Sequence, residues 1–271
     1  MTTLTPLDDQ RLDQPLDDHQ LARALADAAG DVLLALRSAT GPDTDPSQLR
    51  ADGDRQSHLF LMDQLATARP DDAVLSEEGK DDPVRLASDR VWIIDPLDGT
   101  REFGEVPRED WAVHVALWER GDLVAGAVAR PAMGTTLATD QQDPAPTGSA
   151  PGTARLRLAV SRSRPPAFVT ALAERLDAEL VPMGSAGIKA TAVVDGTVDA
   201  YVHAGGQFEW DSAAPVVVAR AAGLHTSRID GTPLAYNRED PLLPDLLICR
   251  PEVATHLLDV IRELINEGTT T

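Results

Sequence analysis

The stretch R-V-W-I-I-D-P-L-D-G-T-R-E-F, Arg90 to Phe103, reads as a buried strand that runs straight into two carboxylates. Val91, Trp92, Ile93 and Ile94 form a short continuous apolar run, the pattern of a strand covered on both faces. Asp95 ends the run. Pro96 cannot continue a hydrogen-bonded ladder, so the chain turns, and Asp98, Gly99 and Thr100 open a turn or helix with free backbone N–H groups. Two acids flanking a proline at the end of a buried strand can point at one spot. A hard divalent cation suits that spot, because Mg2+ takes oxygen ligands, few of them carboxylates, and keeps positions for water and phosphate. The N–H groups after Asp98 suit the phosphate itself. Taken alone, D-P-L-D-G-T reads first as a strand-ending turn, since Asp, Pro and Gly are the usual turn residues.

With 271 residues, 42% of them hydrophobic and 25% charged, the chain can bury a core as one large domain or two small ones. Its formal net charge of −20 argues against a basic groove, so neither nucleic acid nor an anionic membrane is expected as a partner. That charge opposes a phosphate substrate, and a bound metal would relieve the opposition locally. Cys249 is the single cysteine, which removes an intrachain disulfide or thiolate zinc site. No apolar stretch has the length of a membrane span and no export signal opens the chain, so a cytoplasmic location is expected.

Strands and helices alternate, which predicts a layered α/β build. Residues 1–16 read as a flexible polar lead and 17–140 as a first, metal-binding α+β half. Residues 141–153 have linker composition, and 154–271 read as an α/β, substrate-binding half. Helical spacing of apolar residues predicts an amphipathic helix from Asp17 to Arg37, capped by Asp17 or Asp18. Residues 41–54, broken by Pro42 and Pro46, read as a loop leading to a helix from Gln56 to Ala68, with Asp54 at its start as an N-cap. Trp111 to Trp118 and Leu123 to Ala129 read as a hairpin. A helix from Asp211 to Ala222 would carry Pro215 in its first turn and stop at Gly223.

Three segments, Ser76-Glu77-Glu78, Asp95-Pro96-Leu97-Asp98-Gly99-Thr100 and Trp210-Asp211, together resemble the inositol monophosphatase superfamily of metal-dependent, lithium-sensitive phosphatases. That resemblance implies an α-β-α-β-α sandwich like those of inositol monophosphatase and fructose-1,6-bisphosphatase. It implies Glu77, Asp95, Asp98, Asp211 and the Leu97 carbonyl as ligands of two or three Mg2+ ions, with Glu78 in support. Asp54 and Thr100 would hold the attacking water, so that no phosphoenzyme forms, and Li+ would inhibit. On a loop or at a helix start, Glu77, Glu78 and Asp211 also read as solvated charge or as a cap. The spacing D-x-x-D departs from the D-x-D-G-T of haloacid-dehalogenase-type phosphatases, which use the first Asp as nucleophile.

Val160-Ser161-Arg162-Ser163-Arg164 and Gly184-Ser185-Ala186-Gly187-Ile188-Lys189 resemble the 3'(2'),5'-bisphosphate nucleotidase branch, associated with sulfate assimilation. The implied activity is removal of the 3'-phosphate from adenosine 3',5'-bisphosphate. Gly99, Thr100, Ser161, Arg162, Ser163, Gly184, Ser185, Lys189 and Asp211 would contact the substrate, and Tyr236 could cover the adenine. The implied partner is a small nucleotide bisphosphate, and the resemblance admits a homodimer. The same chemistry on inositol monophosphate or fructose 1,6-bisphosphate is the alternative, and a catalytically silent acidic metal-binding protein is the remote one.

Overall fold

Described over residues 16–41, 44–140 and 155–268, the computed structural model makes the apolar run of 91–94 an inner strand of the first of two sheets. That sheet comprises β1 (Ala73–Ser76), β2 (Arg90–Asp98), β3 (Ala112–Glu119), β4 (Asp122–Arg130) and β5 (Thr135–Ala138), side by side in chain order. β1 runs parallel to β2 and the other neighbours are antiparallel. Where β2 faces β3, the register shifts between Asp95 and Asp98. Pro96 withholds its N–H there, so the ladder breaks and the end of β2 is free to re-aim its acids.

Both faces of β2 are covered. Trp92 and Ile94 enter a core with α1 (Asp18–Ser38) and α2 (Pro46–Ala68), while Val91 and Ile93 enter a second core on the opposite face. A short α3 (Thr100–Gly104) follows β2. The second sheet holds β6 (Arg157–Ser161), β7 (Glu179–Met183), β8 (Ala200–Phe208), β9 (His225–Ser227) and β10 (Leu242–Cys249) in the order β7-β6-β8-β10-β9. Its outer face carries α4 (Ala167–Leu176). Between the sheets lie α5 (Ala186–Val194) and α6 (Glu209–Ala221), whose Ile188, Val216 and Val218 share a core with Val91 and Ile93 on one side and Tyr201 and Ile248 on the other. The outer layer is completed by α7 (Pro251–Asn266). The expected α-β-α-β-α sandwich is the fold. Among the described residues no helix is long and apolar enough to cross a membrane. The lead expected over 1–16, apart from residue 16, and the linker expected over 141–153 lie outside the described residues.

Two helices begin earlier than their sequence predicts. α2 starts at Pro46, which occupies the first turn where its missing N–H is harmless, and Asp45 caps it through the Ser47 N–H at 2.9 Å. Asp54 therefore sits within the helix and caps nothing. α6 starts at Glu209, so Pro215 falls in the second turn and removes the N–H that would have bonded the Asp211 carbonyl.

Gly53 explains how α2 approaches the end of β2. A Cβ at that position would stand 2.7 Å from Phe103 and 2.9 Å from Leu97. In an exposed helix Gly→Ala is stabilising by about 1 kcal/mol; here overpacking at a cost of about 1–3 kcal/mol opposes it. Gly53→Ala is expected to lower the urea midpoint at unchanged m value, and a raised midpoint would refute this packing.

Candidate active site

The break at the end of β2 brings acids from distant segments together. One carboxylate oxygen from each of Asp95, Asp98 and Asp211 lies within 4.8 Å of the other two. Asp95 and Asp98 are buried, 1% and 7% exposed, which is far from a solvated turn. Asp95 accepts from the Leu97 N–H at 3.0 Å, closing the turn around Pro96. Asp211 accepts from the Phe208 N–H at 2.6 Å, so it caps its own helix while facing the cluster. Glu77 follows β1, continues the parallel ladder through its N–H to the Ile94 carbonyl at 3.4 Å, and sets its carboxyl against Asp95.

Electrostatics divide these acids in two. Asp98 is surrounded by donors: the Ser185 hydroxyl, the N–H of Ala186 at 3.0 Å and the N–H of Gly187 at 2.6 Å, all at the start of α5. His114 Nε2 faces its Oδ2 at 3.2 Å. Burial works against ionisation of Asp98, yet the charge of His114, with Lys189 and Ser185 in support, outweighs it and holds Asp98 well below the usual carboxylate range. The other acids lack such compensation. Burial and the neighbouring Glu77 push Asp95 well above that range, and burial with Asp98 raises Asp211 to about 6. Burial, then Asp211, Asp98 and Glu78, raises Glu77 to about 7 against a hydrogen bond from Asp95.

Such a donor set fits a hard cation. It offers oxygen ligands only, converging and short of positive charge, which is what Mg2+ or a similar ion requires. Asp54, within α2, accepts from the Thr100 hydroxyl at 3.2 Å, and the same hydroxyl reaches the Leu97 carbonyl at 3.1 Å. Burial and then Glu78 raise Asp54 to about 6. The Thr100 hydroxyl thus lies between Asp54 and the Leu97 carbonyl.

A cleft of about 400 Å³ opens next to the acids. Gly99, Ser161, Ser163, Ser185, Lys189 and Asp211, all expected at the substrate, line it with Arg164. The Lys189 Nζ turns back to the Ser185 carbonyl and lies 5.4 Å from the Tyr201 ring centre. Other expected contacts lie elsewhere. Arg162 binds Glu102 at 2.8 Å and Glu105 at 3.1 Å. The Gly184 N–H is held by Asp110 at 2.7 Å. Tyr236 is buried in the central core with its hydroxyl 3.2 Å from that of Ser212. Conversely, sequence patterns pass over His114, which sits among apolar residues on β3 and meets Asp98 only through folding. Gly187 makes room for it, since a Cβ there would lie 2.1 Å from Nε2.

Residues 17–265 match the inositol monophosphatase family. The chain is 51% identical over 260 residues to a 3'-phosphoadenosine 5'-phosphate phosphatase of Mycobacterium leprae, covering 92% of this chain and 95% of that one. It is 33% identical to the 3'(2'),5'-bisphosphate nucleotidase CysQ of Escherichia coli, over 81% and 94% of the two chains. A Thermotoga maritima IMPase structure superposes with a TM-score of 0.74 over 93% of this chain and 99% of that one, a likeness of fold at 21% identity.

Raised carboxyls make stability depend on pH and metal. Asp211 at about 6 and Glu77 at about 7 stay protonated in the folded chain where the unfolded chain has already ionised. The folded state then binds more protons, so stability falls as pH rises through that window. In chelator, Tm is expected to drop between about pH 5 and about pH 8, and a divalent cation, which binds the ionised acids, is expected to restore it chiefly at the upper end. Equal cation effects at both pH values would contradict this assignment.

Proposed function

Because the chain belongs to the inositol monophosphatase family, we propose that it is a Mg2+-dependent phosphatase that removes the 3'-phosphate of adenosine 3',5'-bisphosphate. The observation that carries the proposal is the meeting of Asp95, Asp98 and Asp211 beside a cleft with Lys189 and Arg164 on its wall. Its substrate follows the relatives named for that nucleotide.

On this reading Glu77, Asp95, Asp98, Asp211 and the Leu97 carbonyl hold two or three ions. Bound there, Mg2+ supplies Lewis-acid stabilisation of the phosphoryl oxygens and acidifies water. The chain's own groups do the rest. Thr100 and Asp54 orient the attacking water, and Asp54, raised to about 6, takes up its proton near neutral pH, with Glu78 in support. Lys189 and Arg164, with Ser161, Ser163, Ser185 and the backbone at Gly99, receive the second phosphate and the ribose. Segment 17–140 thereby carries most of the metal-holding acids, and 154–271 carries Asp211 and most of the substrate wall. Arg162, Gly184 and Tyr236 fit a supporting role better than contact. A cytoplasmic enzyme accords with its single, buried thiol, Cys249.

Phosphate release should be compared for adenosine 3',5'-bisphosphate, inositol 1-phosphate and fructose 1,6-bisphosphate, with and without Li+. The nucleotide is expected to be preferred by at least about tenfold in kcat/KM, or about 1.4 kcal/mol, with inhibition by Li+; equal rates defeat the nucleotide assignment. Asp95→Asn is expected to cost at least about a hundredfold in kcat with folding retained, beyond the loss typical of a group one step from the metal.

A further inference from the structure

Glu209, directly before Trp210-Asp211, is 1% exposed. Its Oε2 accepts from the Asn237 N–H and its Oε1 from the Arg238 N–H, each at 2.7 Å. Asn237 in turn grips Arg85 twice: Oδ1 accepts from Nη1 at 2.8 Å, and Nδ2 donates to the Arg85 carbonyl at 3.1 Å. Arg85, also 1% exposed, completes its fork on Asp81 at 2.6 and 2.9 Å. Asp81 lies in the loop that leaves β1 through Glu77 and Glu78, and Arg85 in the short 3-10 helix, Pro83–Ala87, that follows it. One polar chain, buried from Arg85 to Glu209 and exposed at Asp81, therefore ties the segment that follows Glu77 to the first turn of the helix carrying Asp211.

Buried charges of this kind add little net stability over apolar side chains of the same volume; their best-attested use is to fix register. Here the register at stake is that of two acids contributed by segments far apart in sequence. Neither Arg85 nor Glu209 belongs to the acid cluster of Asp95, Asp98 and Asp211 or lines the cleft beside it. We propose that Arg85, Asn237 and Glu209 are positioning residues that set Glu77 and Asp211 at the separation a cation requires. This rests on the metal-holding role proposed above for those acids.

The test is metal affinity, read by calorimetry and by the thermal shift that Mg2+ or Mn2+ produces, beside the Mg2+ concentration giving half-maximal rate. Glu209→Gln keeps the shape but replaces one acceptor with a donor facing a backbone N–H. Asn237→Gly removes only the side-chain grip, because residue 237 has φ +58°, which glycine adopts freely. Both variants are expected to raise the half-saturating metal concentration about tenfold or more. Arg85→Lys, which keeps the charge but not the fork, is expected to fall between them and the wild type.

Gly30→Ala, which would press on Pro131 at 2.7 Å, is the control for general loosening. Unchanged metal affinity in the variants, or an equal loss in the control, overturns the proposal. Should Glu209→Gln fail to fold, Asn237→Gly decides it alone. A wild type that shows no metal response sinks the metal reading and this one together, whereas a responsive wild type with unaffected variants sinks the network only.

Discussion

Mutual repulsion among Asp95, Asp98 and Asp211 is the constraint to which the rest of the structure responds. Like charges within 4.8 Å in a buried setting cannot all ionise without a counter-charge. The fold gives one a counter-charge and leaves the others a backbone N–H donor each. Asp98 receives the α5 N-terminus, where unpaired N–H groups and the helix dipole favour a carboxylate. Since Asp98 ends a strand of the first sheet and α5 lies between the sheets, the same contact helps dock one layer on the next. Asp95 and Asp211 keep raised affinities for protons, the state expected of groups that exchange those protons for a cation.

What was legible in the sequence was whatever depends on neighbours along the chain. The run of 91–94, closed by Pro96, specifies a strand with acids at its end whatever surrounds it. The start of α2 lies beyond what such neighbours specify. Pro46 and Gly53 look like breakers locally, but Pro46 lies in the first turn and Gly53 is required by Phe103 and Leu97, which come from elsewhere. α7 carries a local signal of the same kind, with Val253, Leu257, Ile261 and Leu264 recurring on its buried face. His114, Glu209 and Arg85 have no local signature at all, because each acquires its partner only when the layers stack.

The excess of negative charge looks hostile to a phosphate ester until its distribution is considered. Much of it is spent on the chain's own arginines: Arg162 is held by Glu102 and Glu105, and Arg90 by Asp18 and Asp72. Lys189 is different. Its ammonium is buried, bonded to backbone carbonyls and close to the Tyr201 face, with no carboxylate among its hydrogen bonds. Burial lowers its proton affinity, while Asp98 and Glu102 act against that loss. A cation fixed by neutral dipoles in this way retains much of its field for a ligand in the cleft.

His114 joins the charge of the site to its geometry. Its Nδ1 faces the Trp210 carbonyl at 3.1 Å and its Nε2 faces the Asp98 carboxylate at 3.2 Å. Both partners are acceptors, and the Asp98 carboxylate favours the protonated form of the ring. Burial alone would oppose that charge, but Asp98 outweighs burial and raises the ring's proton affinity. The ring thus favours Asp98 as an anion, whereas Asp95 and Asp211 keep raised affinities for protons. It also ties Trp210, next to Asp211, to the end of β2, so the contact that settles the charge of one acid helps to settle the position of another. Gly187 admits the ring to that junction, which is why a side chain inserted there would disturb charge and geometry at once.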